Sequence, residues 1–347
     1  MNPPIPEETT GSRPADLDFE AYWQAPLYGP AVVPAPSRKS LVIACVLFLL
    51  TLCTSLAAGT QFATAYANNQ AASLDEWVKA FTLFYKNPAG LVAGIPFAVT
   101  LLTILLAHEL GHFFACRHHG IRASYPFFIP FPSLIGTFGA FILMRSAIRT
   151  RRALFDVGAS GPLVGFMFAI PALVYGVAHA KFVPAIADPN QAEVIFGAPL
   201  ALHAIASLLH PGAAVSQLLL DPVGRAAWVG LFATALNLLP AGQLDGGHIL
   251  RSVSERLHRV VSWGLPVCLV TLGYLQHHRV LWYLWAAILF AINFVRVAPI
   301  HDRTPLNTWR RIGAAITLAL LILCFMAVPF VTPDKPDPPA SVQNPIK

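Results

Sequence analysis

Charge is scarce in this 347-residue chain. Asp, Glu, Lys and Arg make up 12% of it and hydrophobic residues 56%, whereas an average soluble domain is roughly 25% charged. A soluble globule is therefore excluded. Cysteine is also scarce: Cys45, Cys53, Cys116, Cys268 and Cys324 all fall in apolar stretches with no CxxC pair. That usage excludes a disulfide framework and leaves reduced packing residues. Cys116 follows His112 by one helical turn and could face the same site. Basic blocks are absent as well. The net charge is +6, yet Lys and Arg stand singly or in pairs at the ends of apolar runs. The basic excess is thus read as membrane topology, with no nucleic-acid partner. Residues 1–37 lack any apolar run and hold eight prolines, so a disordered tail is expected over 1–39 and another over 332–347. No small-residue cleavage site is evident before the first apolar block is complete, which is expected to remain as an uncleaved span.

Apolar residues gather into blocks near the length an α-helix needs to cross about 30 Å of hydrocarbon. The blocks are Leu41–Gly59, Ala89–Cys116, Ala153–Ala180, Ala226–Leu239, Val260–Leu275, Val280–Val297 and Ile312–Val331. The expected fold is an all-α polytopic membrane protein with about six or seven transmembrane helices in residues 40–331. Stretch 194–220, broken by Pro199, Pro211 and Gly212, reads as re-entrant or interfacial. With seven spans, 16 of the 23 basic residues fall in one set of alternating loops. The positive-inside rule then puts the N-terminus in the cytosol, and a bacterial inner membrane is the expected location. Between Ile121 and Ser146 prolines and glycines interrupt Phe, Ile and Leu, and Thr137–Leu143 is β-branched and aromatic. A short β-hairpin or re-entrant segment is expected there.

The second block ends in Ala107-His108-Glu109-Leu110-Gly111-His112. Residues four apart on a helix share a face, so both imidazoles can reach one metal ion, whereas Glu109 points about 100° away, towards water. A bilayer penalises a buried Glu by a few kcal/mol, which argues for function at this place. A catalytic zinc takes three protein ligands. Candidates for the third are Asp156, Asp221, Asp245 and His248. Asp245 stands out because it follows a span broken at Pro240 and is surrounded by Gly242, Gly246 and Gly247. Helix rise puts His108 about 14 Å and Asp245 about 9 Å inside the cytosolic boundary, so the two share a depth. An N-cap for the following helix is the other reading of Asp245.

HELGH in a transmembrane helix, followed two spans later by Asn237, Pro240, Asp245 and Gly246 in an NxxPxxxxDG pattern, resembles the site-2 protease family of intramembrane zinc metalloproteases. The resemblance covers Ala89 to Leu257, the expected catalytic core. It implies one zinc per chain held by His108, His112 and Asp245, with Glu109 as the group that activates water. It also implies that Asn237 acts near bound substrate or water. Gly158-Ala159-Ser160-Gly161-Pro162 resembles the small-residue stretch through which the family's intervening helix approaches the catalytic pair. About 40 residues separate Ala180 from Asp221, too few for a PDZ module of roughly 90 residues, so the chain resembles a PDZ-less member.

The implied reaction is hydrolysis of a peptide bond within or near the span of a single-pass membrane protein, in the lipid bilayer. Zinc would acidify a water and polarise the scissile carbonyl, and Glu109 would move the proton. The Thr137–Leu143 strand could pair with an unwound substrate, and Gly136 and Gly139 join Asn237 as candidate substrate contacts. His118, His119 and His248 read as interfacial polar residues. A metal transporter would carry ionisable residues along a path through several spans, and a catalytically silent relative would bind membrane partners without turnover. The glutamate-liganded class of membrane HExxH proteases is excluded, because Glu193 and Glu255 are the only glutamates after the motif and neither lies in an apolar block.

Overall fold

A computed structural model of the chain describes residues 36–71, 79–82, 86–184, 194–276, 280–295, 299–302 and 304–331. The expected tails therefore lie outside the described residues, except for 36–39. The Ser37 side chain accepts the Ser40 N–H and starts helix α1, Arg38–Ala67. Residues Pro88–Gly94 form a 3-10 turn that runs into α2, Ile95–His118, which carries the HExxH motif. Next come strands β1, Phe127–Pro130, and β2, Thr137–Phe141, paired antiparallel as the expected hairpin. Their register slips between Phe128 and Pro130. Opposite the slip, Gly139 has φ +105°, a backbone setting that glycine adopts without strain and that marks a bulge.

Thr150 caps α3, Arg151–Ala178, by accepting the Ala153 N–H. This helix packs along α2. The segment expected to be re-entrant or interfacial begins with β4, Ile195–Phe196, and continues through helix α4, Leu200–Leu209, to β5, Leu218–Leu219. β5 pairs with β3, Lys181–Phe182, directly after α3. Helix α5, Pro222–Asn237, is capped by Asp221 and buried along most of its length. It is followed by the short α6, Asp245–Val253, and by α7, Glu255–Leu275, α8, Val280–Ile292, and α9, Thr308–Cys324. Strand β6, Phe330–Val331, pairs with β4.

Three stretches are long and apolar enough to cross a membrane: Arg38–Ala67, Pro88–His118 and Arg151–Ala178. The other four apolar blocks also form helices, of 16, 21, 13 and 17 residues. The sixteen residues of α5 rise only about 24 Å, short of the hydrocarbon thickness. α5 lies inside protein, against α2 and α3. Two points in the sequence reading are corrected. The last helix stops at Cys324, where Phe325 turns extended with ψ 135°, and its expected end instead supplies β6. The description as all-α also needs amendment, because two small ribbons, β3–β5 and β4–β6, accompany the hairpin. Strands of two residues carry too little periodicity to be seen in a sequence.

The main core is built where α2, α3 and α5 meet, around Leu101, Ile104, Leu173, Trp228 and Leu231. Between apolar helices in lipid, close packing is the main attraction, so small residues at the crossings matter. α3 and α5 touch backbone to backbone. A Cβ on Gly176 would stand 2.1 Å from the Gly224 Cα.

Candidate metal centre

The centre forms where α2 crosses α3 and α6 reaches back. His108 and His112 project from one face of α2, and their Nε2 atoms are 3.1 Å apart. Asp245, the first residue of α6, spans both: Oδ2 is 3.2 Å from His108 Nε2 and Oδ1 is 3.3 Å from His112 Nε2. Leu244 occupies the N-cap position of α6 and makes no side-chain cap bond. The Asp245 carboxylate therefore faces the two imidazoles, and the capping reading fails. Among the described residues these three form a group able to hold a metal ion.

The donor chemistry fits zinc. Bonds of about 2.0–2.1 Å in a tetrahedron place neighbouring ligand atoms about 3.3–3.4 Å apart; the two imidazole nitrogens are 3.1 Å apart, and each has its own Asp245 oxygen at 3.2 or 3.3 Å. His112 Nδ1 lies 2.7 Å from the Val157 carbonyl. A carbonyl only accepts, so the proton sits on Nδ1 and Nε2 turns a lone pair inward, the tautomer a metal requires. Both imidazoles are about 5% exposed.

One face of α3 makes this geometry possible. Glycines at 158, 161 and 165 recur at helical spacing, and each sits under a different part of the centre. A Cβ on Gly161 would fall 2.1 Å from His112 Nε2, and one on Gly165 would fall 3.1 Å from His108 Nδ1. On Gly158 it would meet the His248 Cβ at 2.9 Å and the Asp245 carbonyl at 3.0 Å.

Glu109 is buried beside the histidines and is not one of the three grouped donors. Its carboxylate accepts the backbone N–H of Ile142, the residue after β2, which ties the hairpin to the centre. Asn237 ends α5 with Nδ2 3.4 Å from His108 Nε2. Gly139 carries no neighbour within 4 Å of where a Cβ would stand, so its strand face is open. Gly136 is different. Its φ is +81°, a Cβ there would lie 2.6 Å from the Thr54 carbonyl, and its own carbonyl accepts the Thr54 hydroxyl. Gly136 thus seats the hairpin on α1.

The other third-ligand candidates are engaged elsewhere. Asp156 takes a bidentate pair from Arg310, Nε–Oδ1 2.8 Å and Nη2–Oδ2 2.7 Å, and also contacts His119 Nε2 at 2.7 Å. Asp221 accepts the Gly224 N–H at 2.8 Å. Cys116 is fully buried among Phe113, Ile121 and Leu154 and is not one of the grouped donors. His248 is buried against α3 rather than interfacial, and His119 is held in the Asp156 pair. Sequence spacing carries no trace of that pair, whose members are 37 and 154 residues apart.

Residues 96–263, which include all three donors and Glu109, match Peptidase family M50. The chain carries an M50 peptidase domain. The chain is similar to proteins named "Probable zinc metalloprotease EGY1, chloroplastic" and "Probable zinc metalloprotease EGY2, chloroplastic". The first, from Arabidopsis thaliana, is 28% identical over 85% of this chain and 55% of its own length. The second, from the same plant, is 28% identical over 71% and 47%. Its counterpart from Oryza sativa subsp. indica is 30% identical over 70% and 44%. The chain thus spans about half the length of these relatives. No solved structure matches it.

Proposed function

We propose that this M50 protein is an intramembrane zinc metalloprotease that hydrolyses a peptide bond within or near the transmembrane helix of a single-span membrane protein. The observation that carries the reading is the cluster of two imidazole nitrogens 3.1 Å apart, of His108 and His112, each with an Asp245 carboxylate oxygen at 3.2–3.3 Å, and with the Glu109 carboxylate beside it in a membrane-helix setting. In this reading His108, His112 and Asp245 hold the metal. Zinc, when bound, supplies Lewis acidity that polarises the scissile carbonyl and acidifies water. Glu109 takes the proton of the attacking water and delivers it to the departing amide nitrogen. The Asn237 amide, at the rim of the cluster, donates to a substrate or water oxygen. Gly139, on the open face of β2, offers main-chain groups to an unwound substrate by strand pairing. Burial of both imidazoles and of Glu109 excludes bulk water, which strengthens each of these interactions.

The wider arrangement is part of the same proposal. Six or seven of the apolar blocks lie within the membrane, three as full spans and the shorter helices in the shelter of the bundle. The distribution of basic residues supports an N-terminus in the cytosol of a bacterial cell with the chain in its inner membrane, whereas the relatives' printed names place them in chloroplasts. A transporter reading has less support, because one donor cluster, and no path of them, is found among the described residues.

The test uses purified protein in liposomes with single-span peptides that carry a Gly-Pro pair moved along the span. Pro disfavours helix by about 3 kcal/mol and Gly by about 1 kcal/mol relative to Ala, so the pair pre-unwinds its neighbourhood. Cuts located by mass spectrometry are expected in the cytosolic half of the span and to follow the pair. Cleavage restricted to soluble loops, or indifferent to the pair, overturns the proposal.

A further inference from the structure

Asp245 owes its place at the metal centre to the connection 238–244 between α5 and α6. Inside this connection the bonds are short-range: the Ala241 N–H donates to the Leu239 carbonyl at 2.8 Å, and the Leu244 N–H to the Ala241 carbonyl at 3.3 Å. Such bonds shape its turns without fixing it against the rest of the bundle. Near its middle Gly242 has φ +58°, and a Cβ there would stand 2.8 Å from Ile292 Cγ2 at the end of α8. Both facts require glycine at this position. The first turn of α6 lies on the same stretch of backbone, since a Cβ on Gly247 would come within 2.6 Å of the Ala241 and Gly242 carbonyl oxygens.

Two side chains of α7 answer both polar groups of Gly242. Ser262 Oγ accepts its N–H at 3.0 Å, and His258 Nε2 lies 3.0 Å from its carbonyl oxygen. A carbonyl only accepts, so the His258 proton sits on Nε2. His258 and Ser262 are four residues apart and share one face of α7, with Nε2 and Oγ 3.3 Å from each other. Behind them Asn293, the residue after α8, donates from Nδ2 to the Ser262 carbonyl at 2.6 Å. Ser262 is buried. The grip on Gly242 is therefore set by one rigid helix that is itself braced by its neighbour.

We propose that His258 and Ser262 are positioning residues for Asp245: by holding the Gly242 peptide, three residues before the carboxylate, they fix the start of α6 where Oδ1 and Oδ2 meet the two imidazoles. The proposal rests on the zinc reading given above. Neither side chain is one of the grouped donors, so each acts through the backbone. With either bond gone, Gly242 is free to move, and Gly247 in the first turn of α6, which rests on its carbonyl, moves with it. A metal site tolerates ligand distances within about 0.2 Å. Partners that orient metal ligands are worth about 10–100-fold in metal affinity or activity, and the lower end of that range suits a clamp that acts through three residues of backbone.

The test uses full-length protein in detergent, with zinc release to a chelator, the visible spectrum of the cobalt-substituted protein and thermal unfolding as readouts. His258→Leu removes the donor, whereas His258→Gln keeps an N–H near the place of Nε2. His258→Leu is expected to release zinc at least ~10-fold faster and to alter the cobalt bands, and His258→Gln to restore most of both. A role in packing alone would neither move the cobalt spectrum nor separate the two variants. Ser262→Ala is expected to act in the same direction. Unchanged release and spectrum in a folded His258→Leu protein, or equal effects of His258→Leu and His258→Gln, overturns the proposal. If His258→Leu does not fold, Ser262→Ala decides by the same two readouts. Asp245→Ala, run in parallel, separates the clamp from the zinc reading beneath it. Zinc loss there with unaltered release from His258→Leu overturns the clamp alone, whereas full zinc retention in Asp245→Ala overturns the ligand assignment and the clamp with it.

Discussion

Replacing Gly161 by alanine adds one carbon atom to α3, and that atom has nowhere to go. It would stand 2.1 Å from His112 Nε2, 2.4 Å from Cε1 and 2.6 Å from Cδ2, against ordinary contacts of 3.4–4 Å. The His112 ring must therefore retreat by at least about 1.3 Å, or the two helices must part. A metal site tolerates ligand distances within about 0.2 Å. The retreat also breaks the 2.7 Å bond from Nδ1 to the Val157 carbonyl, and losing such an outer-shell partner alone costs about 10–100-fold in metal affinity or activity. The helix itself benefits, because alanine is favoured over glycine by about 1 kcal/mol in a helix interior. Gly161→Ala is thus expected to fold, to lose zinc on dialysis against a mild chelator, and to lose at least ~100-fold of its peptidase activity. Gly165→Ala is the internal control. Its Cβ would meet the side chain of His108 at 3.1 Å, which needs a shift of only a few tenths of an ångström, so a loss of no more than ~10-fold is expected. Elemental analysis gives zinc per chain, thermal unfolding reports the fold, and peptide cleavage gives activity. A Gly161→Ala protein with full zinc and activity, or one no worse than Gly165→Ala, would refute the claim that α3 holds His112 in place.

Three further outcomes are expected. Glu109→Gln keeps its zinc and loses cleavage by ~100-fold or more, the size of a general-base contribution; loss of the metal along with activity would make Glu109 a ligand. Asp245→Ala falls below one zinc per chain on elemental analysis, because it removes one of three donors, and full retention with intact activity would send the third-ligand assignment elsewhere. Asp156→Asn retains zinc but weakens the charge-assisted bonds from Arg310 that tie α9 to α3, and is expected to cost about 1–3 kcal/mol in denaturant unfolding. Zinc loss in that variant would count against the site as drawn.

The sequence by itself determined the parts of this protein that follow from covalent geometry. Helical spacing alone puts His108 and His112 on one face and Glu109 off it. Pro240 and the glycines around Asp245 announce a helix break that carries a carboxylate, and the β-branched and aromatic run at Thr137 announces β2. The small residues of α3 announce a close helix crossing. Every one of these signals operates within a few residues. Tertiary structure decided what depends on which surfaces meet. The Val157 carbonyl sets the tautomer of His112 from 45 residues away, and the Ile142 N–H meets Glu109 from 33 residues on; backbone groups leave no mark in a sequence. Asp156, a plausible ligand by composition, is drawn to Arg310 across 154 residues. Gly136 turns out to seat the hairpin on α1 because the Thr54 backbone happens to lie against it. His258 and Ser262, ordinary polar residues one helical turn apart, become conspicuous only when both are seen to hold Gly242. Local periodicity is a property of the chain, whereas burial, pairing and cavity shape are properties of packed helices, which sequence spacing does not encode.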